Sequence, residues 1–296
     1  MALGRVSARK RVQRYGISRK NTNLRPVFLE ESDKRSTFVA EMKSEHAIFN
    51  RTERLVASDG MKAISAAKVI IFGIGGVGSW VAEGLVRSGV VHLTLVDSDR
   101  VGITNVNRQC PATVRTIGEV KVEAMKARLL EVNPKVEVEA IEGVYDSTTR
   151  DTFGLESYDY VIDAIDSLEC KAALILHATS LPKRVKFFSS MGAALKMDPT
   201  KIRVSEFWQV EGCPLARALR QRFKRSREFP RRKFQVVFSP EVLPNRGDVL
   251  PVEDDVEQQV DWNARKAQVN GTVAHVTAIF GFTLAGLVLQ DICAGA

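Results

Sequence analysis

The run Lys68-Val69-Ile70-Ile71-Phe72-Gly73-Ile74-Gly75-Gly76-Val77-Gly78-Ser79-Trp80 decides the fold of this chain. Its first five residues are a short apolar stretch, which predicts a strand buried in a parallel sheet. Glycines come next in the order Gly73-x-Gly75-x-x-Gly78, and helical spacing takes over from Val77 to Ser88. A strand that ends in glycines and opens a helix lets the backbone approach phosphates at the helix N-terminus. His92 to Val96 reads as a second strand. Asp97 closes it, at the spacing where a carboxylate meets ribose hydroxyls.

Working outward, the alternation continues. Glu119 to Val132 is an amphipathic helix stopped by Asn133-Pro134, and Val136 to Ile141 and Tyr160 to Ala164 are strands. Leu168 to Ser180 is helical, and Val185 to Ser189 is another strand. This order predicts an α/β, Rossmann-like, doubly wound and mostly parallel sheet with helices on both faces. After Met191 the pattern changes. Lys201 to Phe207 and Lys233 to Phe238 alternate like antiparallel or edge strands and flank a basic helical segment, Leu215 to Arg227. A polar, acid-containing loop at Asn245 to Trp262 and a terminal helix complete the chain. The expected organisation is a basic, disordered extension at 1–45, a nucleotide-binding part at 46–190, and a smaller substrate-binding part at 191–296.

A chain of 296 residues is long enough for one large α/β domain or two closely packed lobes. The formal charge of +8 suits a polyanionic partner, although a solvated basic surface has the same sign. Cys110, Cys170, Cys213 and Cys293 are scattered without C-x-x-C spacing, so neither zinc nor a disulfide framework is expected. The apolar run Val276 to Leu289 falls short of the roughly 20 residues a bilayer requires, so no transmembrane segment is expected. The start of the chain carries Arg5, Arg9, Lys10, Arg11, Arg14, Arg19, Lys20 and Arg25 with no acid. Lacking an apolar stretch, it is not a secretory signal. The expected location is the cytoplasm; the arginine-rich start keeps open an organellar transit peptide, a basic arm for RNA, or an unstructured extension.

On the glycine loop and Asp97 alone, a nicotinamide or flavin enzyme would lead. Three further segments overturn that. Asn105-Val106-Asn107-Arg108-Gln109, Gly118-Glu119-Val120-Lys121 and Asp163-Ala164-Ile165-Asp166-Ser167 surround the same crevice. An ATP-cleaving site needs cations near the phosphates and a carboxylate to hold Mg²⁺. Arg108 and Lys121 can supply the cations and Asp166 the anchor. Taken singly, Lys121 reads as a solvated helix residue and Asp166 as an N-cap; their joint occurrence favours the ATP site.

The order Gly-x-Gly-Gly-x-Gly, Asp-x-Asp, Asn-x-x-Arg-Gln, Lys and Asp resembles the ThiF/MoeB/ubiquitin-activating superfamily of adenylating enzymes, from about Phe49 to the C-terminus. The resemblance implies that Asp97 binds ribose, that Asn105, Arg108 and Lys121 bind phosphates, and that Asp166 holds magnesium. It also implies an N-terminal arginine reaching a phosphate across a homodimer: Arg51, or Arg54 in the alternative alignment. Zinc cysteine pairs and an inserted cysteine domain are absent. Gly75-Gly76-Val77-Gly78-Ser79-Trp80, Ser189-Ser190-Met191-Gly192-Ala193-Ala194 with Asp198-Pro199-Thr200, and Val237-Phe238-Ser239 are similar to the tRNA threonylcarbamoyladenosine dehydratase family. That branch implies ATP-driven cyclisation of the threonylcarbamoyl group on the adenosine 3′ to the anticodon. No enzyme nucleophile is needed, and Ser189 to Ala194 would border the reacting group. Some members carry a cysteine where this chain has Val236, so a sulfur-relay role is excluded there. Cys213 is the nearest remaining candidate but is read as structural, and Cys110, which beside Gln109 could approach the nucleotide, is read as buried.

An RNA substrate agrees with the residues themselves. Arg217, Arg220, Arg222, Lys224, Arg225, Arg227, Arg231, Arg232 and Lys233 are interrupted by one acid, Glu228, and interleaved with Phe223, Phe229 and Phe234. Basic helices with aromatics suit a phosphate backbone and exposed bases. Arg217, Arg220, Lys224 and Arg225 are the candidate tRNA contacts. The leading rival is an activator of a ubiquitin-like or sulfur-carrier protein, whose C-terminus would dock near Ala193. A non-catalytic scaffold and a dinucleotide oxidoreductase rank behind it.

Overall fold

The computed structural model describes residues 45–247 and 270–296. The arginine-rich start and most of the Asn245–Trp262 loop lie outside the described residues. Helix α1 (Glu45–Ala66) leads into strand β1 (Lys68–Phe72), and the glycine run then opens helix α2 (Gly78–Ser88). Strand β2 (His92–Val96), helix α3 (Lys121–Val132) and strand β3 (Glu137–Ile141) come next. Strand β4 (Tyr160–Asp163), helix α4 (Leu168–Ser180) and strand β5 (Lys186–Ser190) repeat the unit. Strand β6 (Arg203–Glu206), helix α5 (Pro214–Ser226), strand β7 (Gln235–Phe238) and helix α6 (Ala274–Ala294) complete the chain.

The seven strands form one sheet in the order β3-β2-β1-β4-β5-β7-β6. All neighbouring pairs are parallel except β6 with β7. The sequence places both late strands at an edge or in antiparallel pairing; only β6 fits both descriptions. Strand β7 is interior and parallel to β5, and its Val236 and Val237 are fully buried. Residues from both sides of Met191 thus build the same sheet. The strand order reverses between β1 and β4, and a doubly wound sheet opens its ligand crevice at such a point.

Helix α6 is longer than the apolar run in the sequence suggests. At 21 residues it is long and apolar enough to cross a membrane. Its packing is that of a core helix. Val276, Phe280, Leu284 and Val288 are fully buried in the core cluster that also holds Val81 and Leu85 of α2. The two helices cross closely because Gly281 has no side chain: a Cβ there would stand 2.6 Å from Trp80 Cβ and 2.7 Å from the Val77 carbonyl. This crossing carries Thr277 to the glycine loop.

Candidate active site

The loop after β1 is bound by close backbone approach. Gly73 has φ +86°, and a Cβ on it would stand 2.7 Å from the Ala164 carbonyl. A Cβ on Gly78 would stand 1.8 Å from the Gly73 carbonyl, so no side chain fits either position. Val77 gives α2 no side-chain cap, and the Ser79 and Trp80 amides are met by the carbonyls of Gly75 and Val77 at 3.2 and 3.0 Å.

Asp97 sits directly beneath this loop. Its Oδ2 accepts from Ile74 N at 2.6 Å and its Oδ1 from Asp99 N at 2.9 Å. Lys121 opens α3 and is 3% exposed, so it is not a solvated helix residue. Its Nζ lies 2.9 Å from Asp99 Oδ2 and 3.4 Å from Asp97 Oδ1. Burial opposes the Lys121 charge, but the two carboxylates outweigh it and hold the ammonium above its ordinary range. Burial pushes the Asp97 carboxyl up, against the pull of Lys121.

The segment after β2 folds back over the loop. Asn105 is buried and accepts the Gly102 N–H on Oδ1 at 3.0 Å, shaping the turn that presents Arg108. Arg108 has its backbone carbonyl fixed by Trp80 Nε1 at 3.0 Å and Thr277 Oγ1 at 3.4 Å. Its Nη1 donates to the Thr104 carbonyl at 2.7 Å, and its Cδ lies 3.6 Å from where a Cβ of Gly76 would stand. Beside it, Gln109 Oε1 is buried without a hydrogen-bond partner among the described residues, and Gln109 Nε2 lies 4.0 Å from the Cβ position of Gly75. A buried acceptor without a donor is costly and suits a ligand hydroxyl or amino group. The sequence does not single out Gln109 as a site residue, since its orphaned oxygen is visible only in three dimensions.

Asp166 is exposed in the loop between β4 and α4. The N-cap of α4 is Ser167, so Asp166 is not the cap. Beneath the loop lies a charged network that the sequence did not reveal. Lys171 Nζ is 2.9 Å from Asp163 Oδ2, both side chains being fully buried, and it also donates to the Ile165 carbonyl at 2.9 Å. Ser189 Oγ donates to Asp163 Oδ2 at 2.7 Å, and Ile165 N to Asp163 Oδ1 at 3.1 Å. Ser190 Oγ donates to the Met191 carbonyl. Both hydroxyls therefore turn to internal partners.

The remaining expected residues are dispersed. Arg51 and Arg54 are exposed on α1 before a break at Ala57, which has φ 60°; Arg54 Nε donates to Asn50 Oδ1 at 3.0 Å. Cys110 is buried with its thiol 3.6 Å from Glu83 Oε2, and burial, reinforced by Glu83, pushes it up to about 12. Cys213 is buried at the N-cap of α5. The four cysteines are free, and no metal-holding group of three His, Cys, Asp or Glu occurs among the described residues.

On α5, Arg217, Lys224 and Arg225 are exposed, whereas Arg220 is half-buried. Its Nη1 donates to the Phe207 carbonyl at 3.2 Å, and its guanidinium lies 5.9 Å from the Phe207 ring centroid. Arg222 pairs with Glu169 and Glu228, and Arg232 donates to the carbonyls of Ala178, Pro182 and Val185. The interleaved phenylalanines divide. Phe223 and Phe234 are core residues; only Phe229 is exposed, with its ring 6.2 Å from that of Trp208. Charge periodicity alone cannot separate an aromatic that anchors a helix from one that faces solvent.

Known proteins resemble this chain in sequence and fold. The ThiF family matches residues 49–294. The tRNA threonylcarbamoyladenosine dehydratase of Bacillus subtilis (strain 168) is 36% identical over 248 residues, covering 82% of this chain and 94% of that protein. The Escherichia coli (strain K12) protein of the same name is 33% identical over 256 residues, covering 84% and 94%. A crystal structure of the E. coli tRNA N6-threonylcarbamoyladenosine dehydratase in complex with ATP superposes with a TM-score of 0.72 at 32% identity, covering 84% of this chain and 95% of that one.

Proposed function

Since the chain belongs to the ThiF family and, within it, to the tRNA threonylcarbamoyladenosine dehydratases, we propose that it uses ATP to activate the carboxylate of threonylcarbamoyladenosine in tRNA and cyclises it. The observation that carries this reading is the packing of the Arg108 side chain and the Gln109 amide nitrogen against Gly76 and Gly75 of the glycine loop.

A substrate carboxylate oxygen attacks the α-phosphate of ATP; a new O–P bond forms and pyrophosphate leaves. The carbamoyl group of the same side chain then attacks the activated carbonyl. It loses a proton, the ring closes, and AMP departs. The balance is one water removed from the modified adenosine per ATP split to AMP and pyrophosphate. No enzyme nucleophile is required, because the attacking group is tethered in the substrate. The backbone amides of the glycine loop and the Arg108 guanidinium would stabilise charge on the phosphates. Asp97 would orient ribose, and Lys121 would fix the Asp97–Asp99 turn as well as supply positive charge. A magnesium ion, when bound, would neutralise phosphate oxygens, and one exposed carboxylate, Asp166, fits an ion that takes most of its ligands from phosphate and water.

In this reading 46–190 binds ATP and 191–296 supplies the substrate side, with Arg217, Lys224 and Arg225 along the RNA and Arg220 tied instead to Phe207. A homodimer would bring Arg51 or Arg54 to the phosphates, and the protein would work in the cytoplasm. The test is incubation with ATP, Mg²⁺ and threonylcarbamoylated tRNA, then mass spectrometry of the nucleosides. Absence of water loss would sink the dehydratase reading. Modification of a ubiquitin-like or sulfur-carrier protein's C-terminus instead would favour the rival. Asp166→Ala should abolish turnover and leave the fold intact; retained activity would remove Asp166 from the metal site.

A further inference from the structure

Buried charges in this fold meet opposite charges: Lys171 meets Asp163, Lys121 meets Asp97 and Asp99, and Glu83 meets Arg87 and Arg128. Lys196 does not. It is 5% exposed, yet its ammonium makes one hydrogen bond, to the backbone carbonyl of Glu241, and forms no ion pair among the described residues. Two titratable groups act on it, Cys213 and Glu241. The first is a buried thiol. The second turns its carboxylate to the amides of Met197 and Asp198, at 2.6 and 2.9 Å, and to Lys201 at 3.1 Å. Burial accordingly holds Lys196 below the ordinary lysine range. An ammonium so placed is strongly disfavoured unless an anion arrives to meet it.

Its position points to which anion. Lys196 lies on the loop leaving the C-terminal end of β5, the edge of the sheet from which Gly73, Asp97 and Asp166 also project. His275 Nε2 donates to the carbonyl of the neighbouring Met197 at 2.9 Å. Two residues along α6, an advance of about 3 Å, Thr277 Cγ2 stands 3.1 Å from the Cβ position of Gly76. The start of α6 thus bridges the Lys196 loop to the phosphate loop. Leu195, held at φ 59° by its hydrogen bonds with Gly271 and Leu243, fixes the turn that sends Lys196 inward.

We propose that Lys196 receives the carboxylate of the substrate's threonyl group and holds it for attack on the α-phosphate. The proposal rests on the dehydratase reading and adds the residue that recognises the reacting group. The test uses the full chain with a non-cleavable ATP analogue and three anticodon stem-loop RNAs: one carrying threonylcarbamoyladenosine, its carboxamide counterpart, and unmodified RNA. Wild-type protein should bind the carboxylate RNA about tenfold or more tighter than the carboxamide, the scale of a charge-assisted hydrogen bond. Lys196→Gln should erase that preference, Lys196→Arg should keep most of it, and both should bind ATP and unmodified RNA as wild type does.

Equal losses for modified and unmodified RNA would assign Lys196 to an RNA phosphate, and a selective loss of ATP binding would assign it to the triphosphate; either overturns the proposal. Should Lys196→Gln fail to fold, Lys196→Met, which keeps the packing of the stem, takes its place. Equal binding of carboxylate and carboxamide by the wild type overturns the proposal without any variant. Turnover of the modified RNA without carboxylate preference would defeat this inference and leave the dehydratase activity standing. No turnover at all would remove both.

Discussion

Lys171 Nζ lies 2.9 Å from Asp163 Oδ2 with neither side chain exposed, and the same ammonium holds the carbonyl of Ile165. One buried pair therefore sets the loop that backs the glycine run through Ala164 and ends at Asp166. Lys171→Met would strip Asp163 of its buried counter-charge, at a cost of about 3–5 kcal/mol. The expected result is a clear fall in Tm, partly recovered in the double variant Asp163→Asn with Lys171→Met. A single variant as stable as wild type would show that the pair does not support the loop.

Gly78→Ala places a methyl where a Cβ would stand 1.8 Å from the Gly73 carbonyl. The loop must shift, while the strands and α2 keep their packing. ATP affinity should fall at least tenfold, about 1.4 kcal/mol, with the circular dichroism spectrum retained. Calorimetric titration showing unchanged affinity would mean that the phosphates bind elsewhere.

Glu241 is held down to about 2, first by the amides of Met197 and Asp198 and then by Lys201. A carboxyl whose folded pKa is depressed stabilises the fold in full above its unfolded value, near 4.3. That contribution is lost as pH falls from there through about 2. The amide resonances of Met197 and Asp198 should hold steady from neutral pH to about 4 and move only below it. A midpoint at the ordinary glutamate value would mean that the clamp on the Lys196 loop is open in solution.

Charge reversal at Arg217 and Arg225 should weaken RNA binding and flatten its dependence on log salt by roughly 0.7–0.9 for each phosphate no longer neutralised. Arg220→Glu is expected to behave differently and lower Tm, because that guanidinium is tied to the carbonyl and ring of Phe207. An unchanged salt slope in the Arg217 and Arg225 variant would move the RNA surface away from α5.

The parallel sheet and the glycine loop were readable because each rests on local periodicity or on fixed spacing along the chain. Such signals act over a few residues, and the backbone carries them directly into strand ends and helix starts. Partner choice between distant residues has no such signal. Lys121 and Lys171 look like ordinary helix cations until the sheet brings Asp97 and Asp163 to them. Phe223 and Phe234 look like Phe229 until packing buries two of the three. Residues alone thus determined that a glycine-rich loop joins β1 to α2 in a mostly parallel sheet. Only the tertiary structure decided which charges are already spent on one another and which, at Lys196, lacks a counter-charge among the described residues, because burial and pairing are properties of the assembled core.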